Sequence, residues 1–133
     1  MKRLLAALAL LICLPASAYA AGALALQGGQ CHANTHYGFV LGYGSQADAD
    51  QAALRFCGPG CSVSLRSTVP NEQGYIMPGH CVAFSRDETP GSDLCGWNPH
   101  DASSEDEARQ SALQECQRLG GRNCQVRASG CDQ

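Results

Sequence analysis

"SEDEARQSALQEC", Ser104 to Cys116, lies without a gap over "SQADADQAALRFC", Ser45 to Cys57, with six of the thirteen positions identical. In each copy a serine stands three residues before an acid, Ser45 before Asp48 and Ser104 before Glu107. A serine hydroxyl there can cap a free amide of a first helical turn, and the acid favours the positive end of the helix dipole. Ala49, Ala52, Ala53 and Phe56 follow in one copy, and Ala108, Ala112, Leu113, Cys116 and Leu119 in the other, a stripe of mostly small residues at helical spacing. Gly58-Pro59-Gly60 and Gly120-Gly121 are expected to stop the two helices.

Beyond each stop the period changes from helical to two. Cys61, Val63 and Leu65 alternate with Ser62, Ser64 and Arg66, and Cys124, Val126 and Ala128 alternate with Gln125, Arg127 and Ser129. Each copy therefore reads helix, tight connection, strand, with a cysteine on either side of the corner. Strands are also expected in "HYGFVLGYGS", with Tyr37, Phe39, Leu41 and Tyr43 on one face, in "HCVAFSR" and in "LCGWN". The result is an α+β domain: a mostly antiparallel sheet packed against two helices, internally repeated and braced by disulfides.

The first twenty residues read as an export signal. Met1-Lys2-Arg3 precedes the apolar run Leu4 to Leu14, and "PASAYAAG" offers cleavage after Ala18 or Ala20. The run is shorter than the roughly 20 residues a membrane span needs. Ile12 before Cys13 is a poor lipidation context. The organisation expected is a cleaved signal at 1–20, an N-terminal segment at 21–36, and one domain at 37–133 made of half-repeats 37–66 and 94–131. Loss of Lys2 and Arg3 moves the net charge from −3 to −5 and leaves no lysine. A basic stripe for nucleic acid is missing, so no nucleic-acid partner is expected, nor a stable membrane span after cleavage.

Eight cysteines remain past the signal, an even number that in an exported small domain implies four disulfides. Symmetry of the two corners pairs Cys57 with Cys61 and Cys116 with Cys124. The other four tie ends and halves together, and the pairing adopted is Cys81–Cys131 and Cys31–Cys95.

The doubled phrase A-x3-A-L-x2-C, at Ala49–Cys57 and Ala108–Cys116, is followed by C-x-V at Cys61-Ser62-Val63 and Cys124-Gln125-Val126. With Cys81-Val82-Ala83 between the halves, the chain from Tyr37 to Cys131 resembles a family of exported bacterial cysteine-rich domains of unknown function. The resemblance implies no catalytic residues to carry over.

Candidate chemistry is sparse. His32 and His36 are spaced for a shared helical face, yet Gly28-Gly29 and Asn34-Thr35 disfavour a helix and Cys31 is expected to be oxidised, so no metal site is assigned. His100-Asp101 follows Pro99 as in a surface turn, and His80 precedes a disulfide cysteine. Glu105-Asp106-Glu107 fits a helix start better than a glycosidase carboxylate pair. The middle loop "NEQGYIMPG" is more suggestive. Tyr75, Ile76 and Met77 there are either contact anchors for a partner on a rigid body or the start of a buried strand. The expected function is a noncatalytic, periplasmic or secreted binding module for another exported or envelope protein, with no cofactor. The alternatives are a small secreted hydrolase using His80 or His100, and a purely structural envelope component.

Overall fold

Ser45 and Ser104 are both extended (φ −148°, ψ 156° and φ −144°, ψ 159°), and each hydroxyl accepts a hydrogen bond from the amide three residues on, at 3.1 Å. They cap α1, Gln46–Cys57, and α2, Glu105–Arg118. The Glu107 carboxylate reaches back to the amide and hydroxyl of Ser103, at 2.9 and 2.7 Å, one residue earlier than a capping box would place it. At the far ends Gly58 (φ 94°) and Gly120 (φ 105°) turn the chain in conformations that suit glycine.

The computed structural model describes residues 21–131. The expected signal at 1–20, its cleavage sites and Cys13 lie outside the described residues. Six strands lie between the helices: β1 Ala21–Gln27, β2 Tyr37–Tyr43, β3 Cys61–Arg66, β4 Cys81–Asp87, β5 Cys95–Trp97 and β6 Cys124–Cys131. They form two antiparallel three-stranded sheets, ordered β2-β1-β3 and β5-β4-β6. The fold is thus α+β and disulfide-braced, with its strands divided between two sheets. Each half runs strand, strand, helix, strand, with the first strand in the centre.

β1 lies in the segment 21–36, ahead of the half-repeat expected to begin at Tyr37, and β4 likewise precedes Leu94. The structural halves are therefore 21–66 and 81–131. β1 is buried on both faces: Ala21, Ala23 and Ala25 meet Ala49, Ala52 and Ala53 of α1, while Leu24 and Leu26 face the second sheet. In the second half Ala83 meets Ala108 and Ala112 of α2. Phe84 and Val82 join Leu24, Leu26 and Leu65 between the sheets. The layers are α1, first sheet, second sheet, α2.

Small residues make this possible. A Cβ on Gly38 would run into the Ala53 carbonyl of α1, and one on Gly96 would lie 2.5 Å from the Ala112 carbonyl and from the Cys116 amide of α2. Each helix sits directly on an edge strand at a glycine.

Two stripe positions fall elsewhere than expected. Phe56 is 71% exposed and Leu119 is 46% exposed, because Cys57 and Cys116 continue the i, i+4, i+8 rows from Ala49 and Ala108. Tyr43 packs with the α1 cluster instead of beside Tyr37, Phe39 and Leu41. A bulge between Ala21/Ala23 and their β2 partners, with Gly42 at φ 80°, reverses the face there.

Four disulfides hold this arrangement. Cys57–Cys61 and Cys116–Cys124 clip each helix to its following strand, Cys81–Cys131 joins directly paired residues of β4 and β6, and Cys31–Cys95 links the halves. Such a set belongs to an oxidising compartment, not to the reducing cytosol. Among the described residues no helix is long and apolar enough to cross a membrane.

Candidate functional site

Two sheets stacked face to face have two seams at their edge strands: β2 approaches β6 at one, and the middle loop bridges β3 and β5 at the other. The first seam is closed by a charged network. The Glu88 carboxylate accepts from Nε of Arg86 at 2.9 Å and from Nε of Arg127 at 2.6 Å, with the Glu88 and Arg86 side chains 7% and 5% exposed. Arg86 also donates to the Thr35 carbonyl at 2.8 Å and stands over the Tyr37 ring, 5.5 Å from its centre. The Tyr37 hydroxyl donates to the Arg127 carbonyl of β6 at 3.0 Å. Arg127 and Arg86 hold the Glu88 carboxyl below the usual carboxylate range against the opposing effect of burial. Neighbouring Asp87 is held lower still, by hydrogen bonds from the Ser92 and Thr89 hydroxyls and the Asn123 and Thr89 amides. Each charge here has a partner, so the network ties β2 to the second sheet and offers nothing free to a ligand.

At the second seam the middle loop stands between the strands. The Met77 amide donates to the Arg66 carbonyl at the end of β3, at 2.9 Å, and the Met77 side chain is 3% exposed within the inter-sheet core. Met77 is therefore a packing residue, not a surface contact; the loop has to be anchored, and its one unbranched apolar side chain fills the gap between sheets. Tyr75 and Ile76 remain at the surface, 55% and 46% exposed. The Asn71 side chain shapes the turn before them by accepting the amides of Gln73 and Tyr75 at 3.0 and 2.9 Å.

The Tyr75 ring meets Trp97 of β5 edge to face, with ring centres 5.8 Å apart. Together with Ile76, Pro99 and Leu119 they line a groove of about 270 Å³, whose far wall carries Glu115 and Arg118. These two pair with each other at 2.5 Å. Glu115 is lowered by Arg118 and Arg118 is raised by Glu115, so the wall presents a satisfied ion pair to the groove. The space is below the roughly 300–1,000 Å³ of small-molecule sites. It suits one or two side chains of a larger partner.

The histidines lie apart from this groove. His80 Nδ1 is 3.2 Å from the Asp101 carboxylate, and the His80 amide donates to the same side chain at 2.7 Å. Both side chains are open to water, 78% and 52% exposed. Asp101, not His80's sequence neighbours, supplies this partner because the Cys81–Ala102 bridge brings the two segments together. The His100 carbonyl accepts from buried Asn98, while His32 contacts Gln30 at 2.9 Å. Among the described residues no group of three or more His, Cys, Asp or Glu side chains could hold a metal ion.

The site thus unites Tyr75 and Ile76 of the expected loop with Trp97, Pro99 and Leu119, which sequence reasoning did not join to them. "LCGWN" identifies Trp97 as part of a strand, but nothing in one sequence says that this strand is an edge beside the loop.

Fold and groove together define a class: a small, internally duplicated α–β–β–α domain locked by four disulfides, with an aromatic surface groove. Within that class, a family described as a domain of unknown function (DUF4189) matches residues 19–131, and the chain belongs to it. No curated protein and no solved structure matches the chain.

Proposed function

We propose that this protein is a noncatalytic binding module that acts after export, in the periplasm or outside the cell, and contacts another exported or envelope protein through the Tyr75–Trp97 groove. The observation that carries this reading is the exposure of Tyr75 and Ile76 beside Trp97 on a body that four disulfides hold rigid. Aromatic anchors in a partial pocket are the usual energetic centres of protein contacts, and a preorganised scaffold loses little entropy on binding. The chain's net charge of −3 favours a basic partner, such as a cationic cell-wall hydrolase, whose approach it would accelerate and whose action it could block.

The test is capture from culture fluid and cell envelope with the oxidised domain, the Tyr75→Ala/Ile76→Ala variant, and Phe56→Ala as a control on an unrelated exposed aromatic. A specific partner retained by wild type and Phe56→Ala but lost by the groove variant supports the reading. Equal recovery by all three contradicts it.

The competing hydrolase reading draws on the His80–Asp101 contact, which could orient an imidazole as a base. Hydrolytic activity against exported polymers that disappears in His80→Ala would establish it. The structural-component reading predicts neither partner nor activity.

A further inference from the structure

The hydrogen-bond phase of β5 decides what its outer edge presents. Asp87 N–H donates to the Leu94 carbonyl at 3.0 Å, and the register continues Arg86↔Cys95, Ser85↔Gly96, Phe84↔Trp97. In an antiparallel ladder hydrogen-bonded and non-hydrogen-bonded pairs alternate. Leu94 and Gly96 therefore spend their backbone groups on β4. Those of Cys95 and Trp97 turn outward, and among the described residues they take no other backbone or side-chain partner. At the next pair the Asn98 side chain accepts the Ala83 amide at 2.9 Å and ends the strand.

That outer edge is the floor of the groove. Cys95, Gly96 and Trp97 line it from below, the end of α2 walls it on the helix side of the sheet, and Tyr75 and Ile76 wall it on the inner side. A slot in the plane of a sheet, floored by unpaired amides and carbonyls and walled by apolar side chains, has the shape of one more strand. The β3 edge also borders a groove, of about 360 Å³, but Asn71 already donates to the Ser64 carbonyl there and the lining is mostly polar. The β5 slot, by contrast, joins free backbone groups to aromatic walls.

Resting on the binding-module reading, we propose that the partner enters as an extended peptide segment that adds a strand to the free edge of β5. Its backbone would pair with Cys95 and Trp97, and an apolar side chain would pack against the Tyr75–Trp97 pair. Alternate residues of a strand point to opposite faces, so one neighbouring side chain would face Leu119 and the Glu115–Arg118 pair. The net acidic chain favours a segment with basic flanks.

The experiment selects binders from a random linear peptide library on phage against the oxidised protein, and synthesises the consensus with single N-methyl groups along its backbone. Strand addition predicts that N-methylation at alternate positions weakens binding about tenfold while the intervening positions tolerate it, and that the Cys95 and Trp97 amides become protected from hydrogen exchange. A consensus peptide that loses affinity with Tyr75→Ala but is indifferent to N-methylation overturns strand addition and leaves the groove-binding reading standing. Failure to select any peptide, with a protein still captured through the groove, also overturns strand addition. A dimer in which β5 pairs with a second copy, seen as a doubled mass in sedimentation with those amides protected in the absence of peptide, overturns it as well.

Discussion

The two seams between the sheets start from related sequence and end differently. At the β2–β6 seam Tyr37, Arg86, Glu88 and Arg127 form a network in which two guanidinium groups share the buried Glu88 carboxylate. At the β3–β5 seam a loop intervenes, buries Met77 and leaves Tyr75 and Ile76 in water beside Trp97. A duplicated unit would close both seams alike if closure were its only requirement. The difference shows stability concentrated at one side of the molecule and accessible apolar surface at the other.

Removing the centre of the closed seam should have the largest effect. Glu88→Ala strands the Arg86 side chain, 5% exposed, without its carboxylate and should cost about 3–5 kcal/mol in denaturant unfolding. Tyr75→Ala at the open seam serves as the reference. A Glu88→Ala cost below about 1 kcal/mol would mean that the network is not what closes the seam.

The halves can be compared through their helix seats. Gly38→Ala and Gly96→Ala each push a methyl group into helix backbone, at Ala53 and at Ala112 and Cys116 respectively, and each should destabilise by about 1–3 kcal/mol in thermal or denaturant unfolding. A neutral result at one glycine alone would show that the two helices are not seated equivalently.

Acid should act on the second half first, since Asp87 ends its central strand and Glu88 follows it, whereas Gln27 and Gly28 hold the matching places in the first. Both carboxyls are lowered in the folded state, so their stabilisation is complete above the unfolded value of about 4 and is lost as pH falls from there toward the folded values. Stability measured from pH 7 down to pH 2 should therefore decline below about pH 4, and Asp87→Asn with Glu88→Gln should flatten that decline. An unchanged slope in the double variant would contradict the assignment.

Smaller effects follow at the caps and the groove. Ser45→Ala and Ser104→Ala should each cost about 1 kcal/mol, and near-equal values would support the equivalence of the two helix starts. Tyr75→Ala should shift stability by less than about 0.5 kcal/mol while abolishing partner binding, a separation expected of a contact residue and not of a core one.

Much of the fold was legible because local rules agree in both copies. Serine caps, alanine rows, glycine stops and cysteine-led alternation each point to the same helix–corner–strand unit, and its corner explains Cys57–Cys61 and Cys116–Cys124. β1 escaped because a central strand buried on both faces has no polar alternation, and "AGALALQ" continues the apolar composition before it. Its signal was subtler, small residues at Ala21, Ala23 and Ala25 against large ones at Leu24 and Leu26. The groove was half legible. "NEQGYIMPG" left Tyr75 and Ile76 open between exposed anchors and the start of a buried strand; their exposure, the burial of Met77 and the meeting with Trp97 depend on sheet-to-sheet packing that no local spacing encodes.

The free protein offers the most direct test of the open seam. Residue-resolved amide hydrogen exchange should show Trp97 exchanging about a hundredfold or more faster than its neighbour Gly96, whose amide faces β4. Equal, slow exchange at both residues in the monomer would mean that the edge of β5 is already occupied, and the account of a vacant strand position would fail.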